Sequence, residues 1–174
     1  YDRENVFDGG NEYRDFDIKS LTYRSLQIKS ITFENDTHQV VLWEDESRAY
    51  RVYHTETDIN GRSLVSCEDA HDTSTECDYM NVHFFLRYPE PLDNGSLYVF
   101  GALTCNQFTR EGQMTYNQLK KGYEAQLYLK QGFYNYQYVF LANNSSKGDA
   151  GFVEGNHFET QNEYMVLVYY RQPG

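Results

Sequence analysis

The sequence predicts an all-β protein, and three observations carry that prediction. Its 174 residues include 17 Tyr and 11 Phe against a single Trp, and aromatic side chains fit a pleated, half-buried surface better than a helix. Short apolar–polar alternations recur along the chain, set off by Gly, Asn-Gly and Pro. From residue 79 onward these segments number six or seven at spacings of roughly 8–12 residues, the spacing of a β-sandwich. No helical pattern of useful length interrupts them, which excludes a βαβ nucleotide fold.

The elements follow in chain order. Residues 1–14 read as an entry loop, with Asp8-Gly9-Gly10-Asn11 as a turn. Phe16 and Ile18 alternate with Asp15, Asp17 and Lys19, the pattern of a strand with one buried face. Leu26 to Phe33 continues extended, and the change of phase between Ile28 and Ile31 predicts a bulge. After the turn Asn35–His38, Gln39–Trp43 is apolar on both faces and reads as a covered strand. Glu44-Asp45-Glu46 ends it. Tyr50–His54 is expected to be a further strand, and Asn60-Gly61 a tight hairpin turn.

Ser66 to Asp78 is polar and forms the expected internal boundary. It separates a segment of N-terminal strands, residues 1–78, from a sandwich over 79–174. The first segment either extends that sandwich or belongs to a preceding domain. Beyond the boundary Val82, Phe84, Leu86 and Tyr88 share one face until Pro89 and Pro91. Leu97–Phe100, Met114–Tyr116, Ala125–Leu129 and Tyr134–Phe140 are the next strands. Gly132 is read as the turn of a hairpin between the last two, supplying backbone angles other residues resist. Asn143–Gly151 is a polar loop. Glu163–Arg171, apolar on both faces, is expected in mid-sheet.

Charge and cysteine content bound the function. The formal net charge is −11, so neither nucleic acid nor an anionic membrane is the expected partner. No apolar run approaches the roughly 20 residues of a membrane helix, and no direct membrane insertion is expected. The chain begins at Tyr1 without Met and is read as a mature or excised fragment whose signal or anchor lies elsewhere. Three cysteines leave at least one free thiol or an intermolecular bond. Cys67 and Cys77, ten apart in a polar stretch, are the candidate disulfide.

Catalytic patterns are weak. Glu44/Asp45/Glu46 and Glu68/Asp69/Asp72 read as solvated faces rather than a glycosidase pair. Cys67, His71 and Cys77 match no closed zinc spacing. Asp58/Asn60 and Asp93/Asn94 are ordinary turns without a calcium-loop pattern. No Gly-x-Ser-x-Gly elbow occurs, and the five histidines share no ligand spacing. No enzyme, metal or cofactor is therefore expected. The candidate binding feature is Tyr134, Tyr136 and Tyr138 on one strand face. It is either sandwich core with hydroxyls at the rim, or an exposed platform for a protein or a sugar ring.

Two family resemblances add to this reading. Tyr98-Val99-Phe100-Gly101, Tyr123–Leu127 and Gly132–Val139 resemble the early-set immunoglobulin-like modules that precede glycogen-branching and isoamylase enzymes. That likeness implies an immunoglobulin-like sandwich. Gly101–Phe108 lacks the Trp with which such modules stack on α-glucan. A closer resemblance is to the type IX secretion system plug proteins of Bacteroidetes. It is carried by Gly10–Leu21, Asp58–Arg62, Tyr98–Gly101, Leu129–Tyr138 and Glu154–Tyr164. Members of that family are longer at the N-terminus, with further β-domains. The resemblance implies a non-enzymatic, periplasmic, outer-membrane-associated protein whose partner is an outer-membrane translocon barrel, occluded at its periplasmic mouth. A glycan-binding module is the alternative.

Overall fold

The computed structural model describes residues 7–68 and 77–172. The chain is almost entirely β. Ten strands run β1 (Arg14–Asp17), β2 (Ile28–Glu34), β3 (Thr37–Leu42), β4 (Asp45–Glu46), β5 (Ser63–Val65), β6 (Tyr79–Arg87), β7 (Gly95–Phe100), β8 (Thr115–Asn117), β9 (Gly122–Lys130) and β10 (Gly132–Ala142). Among the described residues a 3-10 turn spans Ala102–Thr104, and one α-helical turn, α1 (Gly151–Glu154), begins at the last residue of the expected loop 143–151.

The strands form two sheets. In the four-stranded sheet β10 is the hub: β1 and β5 pair with its first half, β7 with its second. The six-stranded sheet runs β2-β3-β6-β9-β8. β6 pairs along its full length with antiparallel β9, which leaves its other edge to β3 and then β4, both parallel to it. The bulge expected in β2 falls between Ile28 and Ser30.

Inward residues of the two sheets meet as one core. Val40, Met80, Val82, Phe84, Leu86 and Leu127 face Phe16, Leu97, Val99, Tyr134, Tyr136 and Tyr138. Phe16 links the layers: its ring stacks on Tyr134 at 5.2 Å and meets Phe84 edge-on at 5.6 Å. Both sheets draw strands from either side of residue 78, since β1 pairs β10 and β3 pairs β6. The boundary at 78/79 thus does not divide two folding units.

Four expected elements differ. β9 and β10 do not form a hairpin; they lie in different sheets, and Gln131 alone carries the chain across. Period-two alternation reports a buried face but not which sheet owns it. Gln131 is buried and holds the corner with hydrogen bonds. Its amide Nε2 donates to the Lys19 carbonyl at 3.1 Å, and its Oε1 accepts from the Asp78 N–H at 2.9 Å. Gly132 is needed for space rather than for its backbone angles: a β-carbon there falls 2.5 Å from the Leu64 carbonyl oxygen of β5. Residues 50–54 make no strand, and Tyr50 and Val52 are exposed. Asn60 and Gly61 do take positive φ angles of 54° and 73°, but no strand precedes them, so the turn closes no hairpin. Glu163–Arg171, expected in mid-sheet, pairs with none of the described strands.

Candidate functional site

Tyr134, Tyr136 and Tyr138 point into the sandwich and are buried. The ladder is core, not a surface platform, because the facing sheet supplies Phe84 and β1 supplies Phe16 at ring-contact distance. The Tyr134 hydroxyl donates to the Lys130 carbonyl at 2.5 Å, and burial pushes its pKa up to about 12. The Tyr136 and Tyr138 hydroxyls both donate to Asp45 Oδ2 at 2.7 Å. Burial first, and then the adjacent Asp45 charge, holds both phenols well above their ordinary value.

These hydroxyls belong to a buried polar knot. Arg14 on β1 donates from Nη1 to Asp45 at 2.6 Å and from Nε to Glu154 at 3.0 Å. Arg48 donates from Nε to Glu154 at 2.7 Å. Burial would raise the Glu154 carboxyl, yet the Arg14 and Arg48 guanidiniums hold it below the usual glutamate value. Burial likewise opposes the Arg14 charge, and Glu154 and Asp45 more than offset it. Every charge in the knot is paired, and its geometry ties β1, β4 and α1 to β10. Nothing in the sequence pattern marks Glu154, Arg14 and Arg48 as partners, because isolated charges in short segments carry no periodic signal. In the run Glu44-Asp45-Glu46, Glu44 and Glu46 are solvated as expected, in exposed ion pairs with Arg87 and Arg51, and Asp45 alone turns inward to Arg14.

Cys67 and Cys77 form a disulfide, with Cα atoms 5.6 Å apart. Their thiols are therefore not free to ligate metal. The bridge connects the end of β5 to the start of β6, one strand from each sheet, at the Gln131 corner. Cys105 is a free, exposed thiol. Asp69, His71 and Asp72, named above with the acidic run and the metal spacing, lie outside the described residues.

The outer face of the six-stranded sheet carries an open groove of about 750 Å³, lined by outward residues of β2, β3, β6 and β9. Its floor is neutral and hydrogen-bonding: His83 Nε2 lies 2.9 Å from Gln39 Oε1, with Gln126 opposite His83 on β9. Burial lowers the His83 pKa, which keeps the imidazole neutral. The Phe85 ring lies against Gly122, where a β-carbon would come within 2.4 Å of it. Further along the same face Tyr79 and Tyr128 stack at 5.2 Å, yet stay 50% and 62% exposed. The Lys130 ammonium sits 5.8 Å from the Tyr79 ring. Lys120–Glu124 closes one side as an ion pair at 2.5 Å.

No family model matches the chain. No curated protein matches it either. A crystal structure of a hypothetical protein from Parabacteroides merdae ATCC 43184 is similar, with a TM-score of 0.85 and 40% sequence identity. The match covers 88% of this chain and 38% of that one, so this chain spans well under half the length of that protein.

Proposed function

We propose that this chain is a non-enzymatic protein-interaction module of an envelope protein, an immunoglobulin-like sandwich of the kind found in type IX secretion plug proteins. Its partner is an outer-membrane translocon barrel, whose periplasmic mouth it occludes. The observation that carries the reading is the stacked, half-exposed Tyr79/Tyr128 pair on the outer sheet face. Tyr anchors protein interfaces because its ring supplies apolar area and its hydroxyl keeps a polar contact. Two strands hold this pair rigidly, which lowers the ordering cost of binding. The Cys67–Cys77 bridge supports the compartment, since disulfides persist in oxidising surroundings such as the periplasm.

A second reading rests on the groove beside the tyrosines. Neutral Gln39, His83 and Gln126 around the Phe85 ring suit a sugar's hydroxyls and its apolar ring face. One experiment separates the two. The full-length protein is cross-linked in its native envelope and purified, in parallel with the variant carrying Tyr79→Ala and Tyr128→Ala. Both proteins are also applied to an oligosaccharide array. Recovery of an outer-membrane barrel by the wild type, reduced at least about tenfold in the variant, is the expected result for an aromatic hot spot. Absence of any barrel, with a clear oligosaccharide signal, overturns it in favour of the groove.

A further inference from the structure

Glu163 to Arg171 has the composition of an interior strand and none of an interior strand's surroundings. Its residues Tyr164 to Tyr170 are each between 61 and 90% exposed. Among the described residues, none from Met165 to Tyr170 makes a backbone hydrogen bond. Seven consecutive apolar and aromatic side chains in water, on backbone with no ladder partner, is an exposure that folded domains cover.

The segment's two faces decide what can cover it. Met165, Leu167 and Tyr169 lie on one side, Val166, Val168 and Tyr170 on the other, so docking on a single surface leaves half of them wet. This sandwich offers no wholly apolar layer among its described residues, and no pair of layers that would enclose both sides. The outer face of the six-stranded sheet interleaves Val41, Phe85, Tyr79 and Tyr128 with Gln39, His83, Glu124 and Gln126, and could cover at most one side of the segment. That of the four-stranded sheet is already covered by its own loops: Phe108 packs on Tyr98 and Phe100, and the Ile59 N–H bonds Asn135 Oδ1 at 2.6 Å. A second copy of the chain is opposed by a net charge of −11 on each molecule. The similar Parabacteroides merdae chain, in contrast, has the larger part of its length outside the match.

We infer that Tyr164–Tyr170 is a strand of a second β-sheet unit, covered on both faces, and that further polypeptide of the same chain supplies its partner strands. The segment's root is fixed on the sandwich: Arg62 pairs with Glu163 at 2.7 Å, and the Phe7 and Tyr164 rings meet at 5.4 Å. The second unit is therefore joined to this one without an intervening linker. This inference does not depend on the partner proposed above, because it concerns the polypeptide's own architecture.

Hydrogen–deuterium exchange on the full-length protein and on the 174-residue chain tests it. In the full-length protein, amides of 164–170 are expected to exchange at least about 100-fold more slowly than in the 174-residue chain, as sheet amides do. In both samples β6 and β9 report that the sandwich is folded. Leu167→Asp in the full-length protein is expected to abolish the slow exchange of 164–170 and to leave β6 and β9 unchanged. Fast exchange in the full-length protein overturns the inference. So does slow exchange in the 174-residue chain: independent of concentration, it places the segment on its own sandwich, and lost on dilution, it assigns the segment to a second copy. A natural polypeptide that ends at Gly174 overturns it as well.

Discussion

The Tyr138 backbone N–H donates to the Glu154 carboxylate at 2.8 Å, just beyond Tyr136, where β1 stops pairing with β10. A side chain from a single helical turn thereby continues the edge of a sheet. The same carboxylate accepts from Arg14 and Arg48 and is 1% exposed. Glu154→Gln keeps its shape and removes its charge, leaving two largely buried guanidiniums short of an anion. A loss of about 3–5 kcal/mol in urea unfolding is expected for a broken buried pair. A loss under about 1 kcal/mol, the range of an exposed pair, counts against the assignment.

The same residue gives the protein an acid limb. Its folded pKa lies below the ordinary value of 4.5, so its contribution is present above that pH. The contribution is lost as pH falls through the lower, folded value. Stability measured by denaturant unfolding is expected to decline below about pH 4.5 in the wild type. In Glu154→Gln the decline is shallower.

Tyr136→Phe and Tyr138→Phe each remove one of the two hydroxyls on Asp45 Oδ2. About 1.5–3 kcal/mol each is expected, the net value of a hydrogen bond to a charged group. Both phenols have folded pKa values raised above 10. Their linkage is therefore the reverse of the acid limb: fully present below pH 10, and lost as pH rises through the folded values. Phenolate absorbance is expected to show at least three fewer tyrosines titrating at about pH 10–11 in each native wild-type molecule than after unfolding at the same pH, Tyr134, Tyr136 and Tyr138 among them. Ionisation of all tyrosines near pH 10 in the native protein refutes the placement.

Gly132→Ala forces a methyl group against the Leu64 carbonyl oxygen and within 3.1 Å of the Val65 Cα. Both obstacles are backbone, so β5 must move. Destabilisation of about 1–3 kcal/mol is expected, as for overpacking, with faster amide exchange first at 63–65. Unchanged exchange there means that β5 is not the neighbour.

Thiol labelling distinguishes the cysteines. One thiol per native molecule, Cys105, is expected to react, and all three after reduction and unfolding. Reduction of Cys67–Cys77 is expected to cost about 2–4 kcal/mol. Native labelling of three thiols refutes the bridge.

Much of the sheet content was legible because period-two alternation is local. Val82, Phe84 and Leu86 announce β6 without reference to anything distant. Strand partners are not local, which is why Lys130 to Tyr134 reads as a hairpin although Gln131 crosses between layers. The tyrosine ladder left two readings open for a related reason: an amphipathic aromatic looks the same from either side until Phe16 and Phe84 arrive. The polar knot was illegible, since Arg14, Asp45, Arg48 and Glu154 come from three short segments far apart in the chain. In Glu163–Arg171 the pattern of an interior strand is present, and its sheet is not among the described residues.

The place of β10 in the chain has a consequence for synthesis. β1, β5 and β7 pair with β10 and not with one another, yet all three leave the ribosome before it. Until residues 132–142 emerge, one layer of the sandwich has strands and no sheet. Closure of such distant pairs is slow, and unpaired strands invite aggregation. That layer of the sandwich therefore closes only after residue 142 has emerged.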